Sequence, residues 1–496
     1  MGDADLKRGQ RPDSPYLALL PLERGALIGG FLLIVVLSGI ASFGTERGSH
    51  PLLFGAFLVY VGVLALPLFG AFLRTPGLFH PLFFYATWTG LRSLLTGDAV
   101  LGATGLEFHR ALPGMGRTEL EMVAAQSFLL EALALAALYV GYGLFRNIRV
   151  PRLRQPAQPR RLAKAAVLWM ALPTAAVAIL AMEAGGLGQL LLQRGIASDQ
   201  RIAAEIGGQW HYLAGVGTIV PVVWLAFDRD AVKHPVFWMV ALFAAFLVFA
   251  ATGSRGSAIW PFILIALMWA LRNRTIPYRA LWVAAGIAIV LVGMLGEFRA
   301  ATRGAATLAD VEFQAEIWSS AQAGYEEMVR RSTTNNGRIA VLGSVPGRVD
   351  YLRGESYLSI PFVVIPSRLW PGDTPDAAGK LNAIYIYDRT DTAIPTGVVG
   401  EAYWNFSYPG VILAFLLLGF ALRLAASFYR ANPQHPLIVS VYLYVLMNFA
   451  PGSDQAYNFI HALVPVIGFY LFVRVVDRVR VGGTSARRAA GVGGGQ

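Results

Sequence analysis

The stretch PTGVVGEAYWNFSYPG, residues 395–410, brings together residue types that could carry out chemistry on a sugar. A carboxylate in a partly apolar site, here Glu401, can act as a general base toward a sugar hydroxyl. A ring such as Tyr403 can stack on sugars, and the amide of Asn405 can hydrogen-bond their hydroxyls. The alternatives are an arginine partner for Glu401 that only orders the loop, and an interfacial belt of aromatic residues. Asp454, in APGSDQAY, is the second candidate base.

Arginines form a second group of candidate functional residues. A guanidinium is permanently charged and binds phosphate through two parallel hydrogen bonds, so several on one membrane face predict a seat for a lipid diphosphate. The alternative for each arginine is that it reaches lipid headgroups or pairs with an acid such as Glu297, Asp310 or Asp373. The predicted substrate-binding set is Arg255, Arg299, Arg303, Arg338 and Arg368, with Arg92 as a weaker member for which packing or pairing is the alternative.

The composition places these residues in a membrane protein. The 496 residues are 55% hydrophobic and 14% charged, with a mean hydropathy of +0.53, which is too apolar for a soluble chain of this length. The apolar runs are continuous, so we predict an all-α polytopic fold of about twelve membrane helices and not a barrel. The predicted spans are 24–44, 52–73, 78–96, 123–145, 165–183, 211–227, 235–251, 256–271, 280–297, 409–427, 436–451 and 458–476.

The distribution of basic residues predicts the orientation of the chain. Outside the longest loop, most lysines and arginines lie in segments such as 146–164 and 272–279, which should face the cytoplasm together with both termini. The net charge of +11 thus reflects topology and affinity for anionic lipid, not nucleic acid. The predicted parts are a cytoplasmic segment (1–23), membrane helices one to nine (24–297), a large periplasmic loop (298–408), helices ten to twelve (409–476) and a disordered cytoplasmic tail (477–496).

The large loop should carry structure of its own because long structureless loops are rare in compact domains. Residues 315–332 have apolar positions at helical spacing and predict an amphipathic helix. Residues 357–375 contain four prolines, which exclude a regular helix and favour a segment lying against the membrane surface.

The sequence lacks the residues that several kinds of catalytic or metal site require. The chain has no cysteine, and no nucleotide-binding or zinc-protease motif stands out in a credible context. The segment 298–408 contains neither a histidine nor an Asp-x-Asp pair, so we predict no metal and no cofactor. Fixed cations would then stabilise a diphosphate leaving group.

The motifs GSRG (253–256), IPFVVIPSRLWPGDTP (360–375) and PTGVVGEAYWNFSYPG resemble those of O-antigen polymerases of the Wzy type, and the predicted topology is similar. One departure is Ser407, where such proteins commonly carry glycine. The resemblance implies a membrane glycosyltransferase of the GT-C kind, with its active site on the periplasmic side of the bacterial inner membrane. It would move a growing glycan from undecaprenyl diphosphate onto a second lipid-linked repeat unit. Glu401 or Asp454 would serve as the base, and the arginines would hold the diphosphate.

Two other functions are compatible with the same predicted architecture. An O-antigen ligase would share the lipid-linked donor but relies on a histidine in the large external loop, which is absent here. A flippase or transporter of lipid-linked glycans would predict repeated halves and polar groups at mid-membrane depth, whereas the candidate residues gather at one face. The expected partners are the donor and acceptor glycan lipids, membrane lipids and, for a polymerase, a chain-length regulator and a flippase.

Overall fold

A computed structural model defines the positions of most of the apolar segments. It describes residues 51–69, 77–88, 114–145, 147–193, 208–275, 336–363, 375–390 and 392–478, together with 16, 22–26, 28–30, 32–33, 36, 112, 286, 290, 293–298, 301 and 318–323.

Helices dominate the described residues. In chain order they are α1 (Pro51–Ala65), α2 (Arg117–Leu144), α3 (Leu162–Trp169), α4 (Ala171–Glu183), α5 (Leu187–Gln193), α6 (Gly208–Gly215), α7 (Val220–Phe227), α8 (Pro235–Thr252), α9 (Arg255–Asn273), α10 (Asn336–Ser344), α11 (Glu355–Leu358), α12 (Ala378–Tyr385), α13 (Val398–Ala431), α14 (Pro436–Asn448) and α15 (Ser453–Arg478). Short 3-10 turns cover Val216–Ile219, Ala231–Lys233 and Ile360–Val363.

The predicted all-α class is confirmed, since the described part of the chain contains no strand. Seven segments there are long and apolar enough to cross a bilayer: Arg117–Leu144, Leu162–Glu183, Trp210–Phe227, Pro235–Thr252, Gly256–Asn273, Val398–Ala431 and Ser453–Arg478. Two shorter apolar helices, Pro51–Ala65 and Pro436–Asn448, match two further predicted spans. The predicted spans 24–44 and 280–297 fall largely outside the described residues, and 78–96 is described only as far as residue 88, so the predicted number of twelve stays a prediction.

The chain divides into two compact units. The first comprises 1–151, 326–431 and 445–460, and the second comprises 152–325, 432–444 and 461–496. In the second unit, α8 packs against α6 and α9, while Trp169 contacts the rings of Phe469 and Phe472 at centroid distances of 5.5 and 5.4 Å.

The predicted spans 235–251 and 256–271 leave only a short connection at Arg255, and a tight turn is present there in the second unit. Gly253 ends α8 in the left-handed region at φ 62°, a conformation that glycine adopts without strain. The side chain of Ser254 then accepts a hydrogen bond from the backbone N–H of Ser257 and caps α9, of which Arg255 is the first residue. The side chain of Arg255 lies outside the described part of the structure.

The first unit is built on the pair α2 and α13. These helices run in the same direction, because Gln126 bonds Tyr408 at one end while the ring of Phe145 lies 4.6 Å from that of Phe420 at the other. Near that second end the backbones touch: a Cβ atom on Gly419 would lie 2.3 Å from the carbonyl oxygen of Leu138. Small residues at such crossings let membrane helices approach closely, where dispersion contacts hold them together.

The large predicted loop is only partly described. Within the predicted amphipathic helix 315–332, residues 318–323 are helical and the remainder lies outside the described residues. Within 357–375, the residues described before 364 form the end of α11 and the 3-10 turn Ile360–Val363, while residues 364–374 lie outside the described residues, so the prediction for the proline-rich segment stays a prediction. The predicted loop boundary at 408 lies inside α13, directly after the two non-helical residues Phe406 and Ser407.

The close crossing yields a stability prediction. Gly419→Ala should lower the melting temperature of the detergent-purified protein, because a methyl group forced against backbone atoms costs about 1–3 kcal/mol. Gly62→Ala is the matched control: Gly62 is exposed on α1, and a Cβ there would meet no atom within 4 Å. Equal melting of the two variants would show that the crossing is looser than described.

Candidate functional site

Glu401 lies in the first turn of α13 and is completely buried, with 0% exposure. Its Oε1 accepts a hydrogen bond of 2.7 Å from the hydroxyl of Ser356. The backbone N–H of Ser453 donates to both carboxylate oxygens, at 3.1 and 2.9 Å. Ser453 begins α15, so the carboxylate lies at the positive end of that helix, which favours a negative charge. Glu401 therefore joins three segments that are far apart in sequence.

Asn405 completes the hydrogen-bond network one helical turn further along α13. Its Nδ2 donates 2.8 Å to Ser356 Oγ and 2.9 Å to the carbonyl of Glu401, and its Oδ1 accepts from the N–H of Gly354 at 2.8 Å. Asn405 thus donates to the same hydroxyl that donates to Glu401, so all three groups are oriented together. In such networks each hydrogen bond polarises the next.

The loop before α11 is fastened to α13 along its backbone. The N–H groups of Leu352 and Arg353 donate to the carbonyls of Trp404 and Asn405, at 3.0 and 3.2 Å. The indole Nε1 of Trp404 donates 3.1 Å to the carbonyl of Asp350. Carbonyls of α13 that would otherwise be left without partners are thereby satisfied, and Ser356 is brought to Glu401.

A kink in α13 frees these carbonyls. The backbone leaves helical geometry at Phe406 (φ −142°, ψ 26°) and at Ser407 (φ 56°, ψ −150°). A Cβ on Gly410 would lie 2.4 Å from the carbonyl oxygen of Ala402, so the chain folds closely on itself there. The kink separates a buried polar segment, Val398–Asn405, from the apolar helix that follows. Ser407, where the sequence resemblance implies glycine, thus holds a side chain in a backbone region that only glycine adopts without strain.

Asp454 lies beside Glu401 in the first turn of α15. Its carboxylate accepts a hydrogen bond from the backbone N–H of Gly379, while the hydroxyl of Ser453 accepts one of 2.9 Å from the N–H of Ala378. These two contacts hold the start of α12 against α15. Asp454 is partly exposed, in contrast to Glu401.

Arg338, on α10, is buried with 8% exposure and pairs with a carboxylate that the sequence analysis did not select. Its guanidinium donates to Glu131 of α2 and, at 2.5 Å, to the hydroxyl of Ser127. Burial lowers the pKa of Arg338 to about 10, which still leaves it charged at neutral pH. The stem of Arg338 passes Gly400, where a Cβ would lie 3.3 Å from its Cα and Cγ. Arg338 thus lies next to Glu401 in space but points toward α2.

Aromatic rings flank the network. Tyr403 lies edge to face with Tyr408 at 5.5 Å and with Tyr351 at 6.2 Å. Tyr357 stacks with Phe406 at 6.5 Å. These rings contact one another within the first unit, and the exposed ones, Phe406 and Tyr408, offer apolar surface beside the kink.

Five of the predicted site residues lie in the first unit. Those in the first unit are Glu401, Asp454, Arg338, Tyr403 and Asn405. Arg255 is described by its backbone alone, in the second unit. The remaining predicted residues, Arg92, Arg299, Arg303 and Arg368, lie outside the described residues.

Four residues that bind Glu401 or Arg338 were not among the predicted site residues: Ser127, Glu131, Ser356 and Ser453. Glu131 carried a usable signal, because an acid in the middle of a predicted span is a candidate functional residue by default. The three serines carried none, since a hydroxyl in a polar loop or an apolar helix is common and gains meaning only through its neighbours in space.

Buried polar side chains on helices that can cross a bilayer define an integral membrane protein with an internal polar site. The family model described as O-antigen polysaccharide polymerase Wzy matches residues 217–480. This is more than half of the 496 residues, so the chain belongs to that family, as the sequence motifs predicted. Membership supports an O-antigen polymerase-type function. The matched range contains Glu401, Asp454 and Arg338 but not Arg92.

No curated protein and no solved structure gives a significant match to the chain. The network around Glu401 therefore rests on this chain's own geometry.

The kink yields a second stability prediction. Ser407→Gly should raise the melting temperature, because a non-glycine residue in this backbone region costs about 1–3 kcal/mol. Ser407→Ala is the control, since it removes the hydroxyl that Tyr351 contacts at 3.4 Å but keeps the strained Cβ. A rise with alanine equal to that with glycine would locate the effect in the hydroxyl and contradict the strain argument.

The buried ion pair yields a third prediction. Arg338→Met should destabilise the protein by about 3–5 kcal/mol, because it leaves the Glu131 carboxylate buried without its cation. The double variant Arg338→Met with Glu131→Leu should recover most of that loss, since replacing both partners with apolar groups is often neutral. Thermal melting of both single variants and the double variant measures this coupling, and additive losses would contradict a direct pair.

Proposed function

We propose that this chain is a glycosyltransferase that polymerises undecaprenyl-diphosphate-linked oligosaccharide repeat units at the periplasmic face of a bacterial inner membrane. Family membership supports a polymerase acting on lipid-linked oligosaccharides in a membrane. The observation that carries the proposal is the Glu401 network, a pre-oriented carboxylate within the matched range, at the start of a helix that continues into the apolar tail of α13.

The proposed reaction is a displacement at the anomeric carbon of the donor glycan. The acceptor hydroxyl oxygen forms the new bond to that carbon and gives its proton to a carboxylate. The bond from the anomeric carbon to the diphosphate breaks, and the undecaprenyl diphosphate leaves with the bonding electron pair. Fixed guanidinium groups stabilise the charge that develops on the leaving group, in place of a metal.

We assign the proton-accepting role to Glu401 and keep Asp454 as the second candidate. The hydroxyl of Ser356 already donates to Glu401 Oε1 at 2.7 Å, which is the contact that an acceptor hydroxyl would make with its base. Asp454 is more open to an incoming sugar, because it is partly exposed while Glu401 is fully buried. The two carboxylates lie on neighbouring elements, so one acceptor sugar could reach either.

The diphosphate seat is assigned to the remaining predicted arginines, which are Arg255, Arg299, Arg303 and Arg368, with Arg92 as a weaker member. Arg338 fits a different task, because its guanidinium is occupied by Glu131 and Ser127. We propose that Arg338 holds α10 and Gly400 in place, so that the start of α13 keeps its position beside Ser356. Tyr403 and Asn405 keep their proposed roles near the sugar, with Asn405 acting through its hold on Ser356.

Paired amide substitutions test which carboxylate is the base. In cells lacking the native gene, Glu401→Gln should reduce polymer formation by about 100-fold or more, because an amide cannot accept the proton. Asp454→Asn should reduce it less. Glutamine keeps one oxygen for Ser356 and Ser453, so the variant should reach the membrane in normal amounts. Polymer length and amount are read on gels against protein level.

Glu355→Gln is the matched control, because Glu355 is an exposed neighbour of Ser356 on α11. Retained polymerisation in Glu401→Gln combined with its loss in Asp454→Asn would move the base to Asp454. Full-length polymer from both variants would refute the carboxylate mechanism.

A purified assay tests the reaction class. The protein is mixed with a lipid-diphosphate repeat unit and EDTA, without nucleotide, and a ladder of longer glycans is expected. Transfer to an added lipid A acceptor without lengthening would instead identify a ligase.

A further inference from the structure

An open groove of about 610 Å³ runs along α1 and α2 in the first unit. It extends from Pro51 to Val59 on α1 and from Met122 to Leu133 on α2, which at 1.5 Å per residue is about 12 and 17 Å of helix. Gly55 lies on its α1 wall, where no atom would come within 4 Å of an added Cβ. The missing side chain leaves the groove open along its length.

The lining of the groove is almost wholly apolar. Aliphatic side chains and backbone form both walls, and no charged residue takes part. Leu52, Val59, Met122 and Leu129 are each about half exposed, at 60%, 51%, 54% and 48%, so the groove faces outward. On a helix that can cross a bilayer, such a surface faces lipid, and a hydrocarbon chain is the occupant that it fits.

One polar contact links the groove to the Glu401 network. Gln126 and Tyr408 both line the groove, and the amide of Gln126 donates 2.9 Å to the hydroxyl of Tyr408. Tyr408 follows the kink directly and packs against Tyr403, two residues from Glu401. The groove therefore connects, through a single residue, to the segment that carries the proposed base.

Helix α2 serves both regions with different faces. Met122, Gln126 and Leu129 face the groove, whereas Ser127 and Glu131 bind Arg338 beside Gly400. A chain lying in the groove would thus be separated from the Arg338–Glu131 pair by one helix diameter, about 10–12 Å.

We propose that this groove binds the isoprenoid chain of the lipid-linked substrate and so fixes the position of its diphosphate relative to Glu401. This inference rests on the proposed function, which supplies a lipid with a polar, reactive head. The position of the groove favours the substrate over a bulk phospholipid, because the groove is lined by Tyr408, which packs against Tyr403, two residues from Glu401, where the reactive head of the substrate has to lie.

Photolabelling tests the proposal. The purified full-length protein in nanodiscs is irradiated with an undecaprenyl diphosphate that carries a diazirine on its chain. We expect label on peptides from 51–59 and 122–133, and competition by unlabelled undecaprenyl diphosphate. Gly55→Trp should reduce this labelling about tenfold, the factor expected when an indole displaces roughly two buried methylene groups.

Gly62→Trp is the matched control, because Gly62 is an exposed glycine of α1 that does not line the groove. Met122→Trp narrows the groove from its α2 wall and should repeat the Gly55→Trp result if the latter misfolds. Gly55→Trp and Met122→Trp should raise the KM for the lipid-linked repeat unit by a larger factor than they lower kcat, because the chain lies away from the reacting atoms, and Gly62→Trp should change neither.

The outcomes separate the groove from the proposed reaction. Equal labelling by a diazirine-bearing phosphatidylglycerol, without competition by undecaprenyl diphosphate, would show an ordinary bilayer surface and overturn the groove proposal. Glycan lengthening that is unaffected by Gly55→Trp and Met122→Trp would also overturn it while leaving the polymerase intact. Specific, tryptophan-sensitive labelling in a protein that never lengthens glycans would support the groove and refute the polymerase.

Discussion

The first unit depends on one constraint. The carboxylate of Glu401 is buried, and no cation of the described residues forms an ion pair with it. Burying a charge is costly unless it is hydrogen-bonded, and Glu401 meets that requirement with the Ser356 hydroxyl and the N–H that opens α15. Because these partners come from the short helix α11 and from the start of α15, Glu401 is satisfied only when three segments have assembled. The same contacts that stabilise the fold therefore also orient the group that is proposed to react.

Part of this arrangement was predictable from sequence. The hydrophobic pattern gave the helical class, and the spans in the better-described parts of the chain lie close to the observed helices. Glu401 and Asn405 were both selected as candidate site residues, and the two side chains do meet at Ser356. The Gly-Ser pair after α8 was recognisable as a tight turn.

The start of α13 was not predictable in the same way. Polar residues before 409 indicated a loop, since hydropathy assigns such residues to water. The structure instead places Val398–Asn405 in a helix. Its polar groups are hydrogen-bonded within the protein, in part by the loop before α11, which is distant in sequence but adjacent in space. The partner of Arg338 was hidden for a related reason: an acid on a sequence-distant helix, Glu131, meets it only after α2 and α10 have packed. Pairings of this kind depend on tertiary structure, which local patterns do not encode.

The contact between Gly141 and Gly419 has a mechanical consequence for the pair α2 and α13. Backbone atoms already touch there, so neither helix can approach or slide past the other at that point without a clash. The crossing is therefore a fixed point about which the two helices can only rotate. Any splaying of the two rods must then occur at the opposite end, where one hydrogen bond between Gln126 and Tyr408 joins them. Relative movement of α2 and α13 is thus confined to the end beside the kink, while their separation at Gly141 and Gly419 stays fixed.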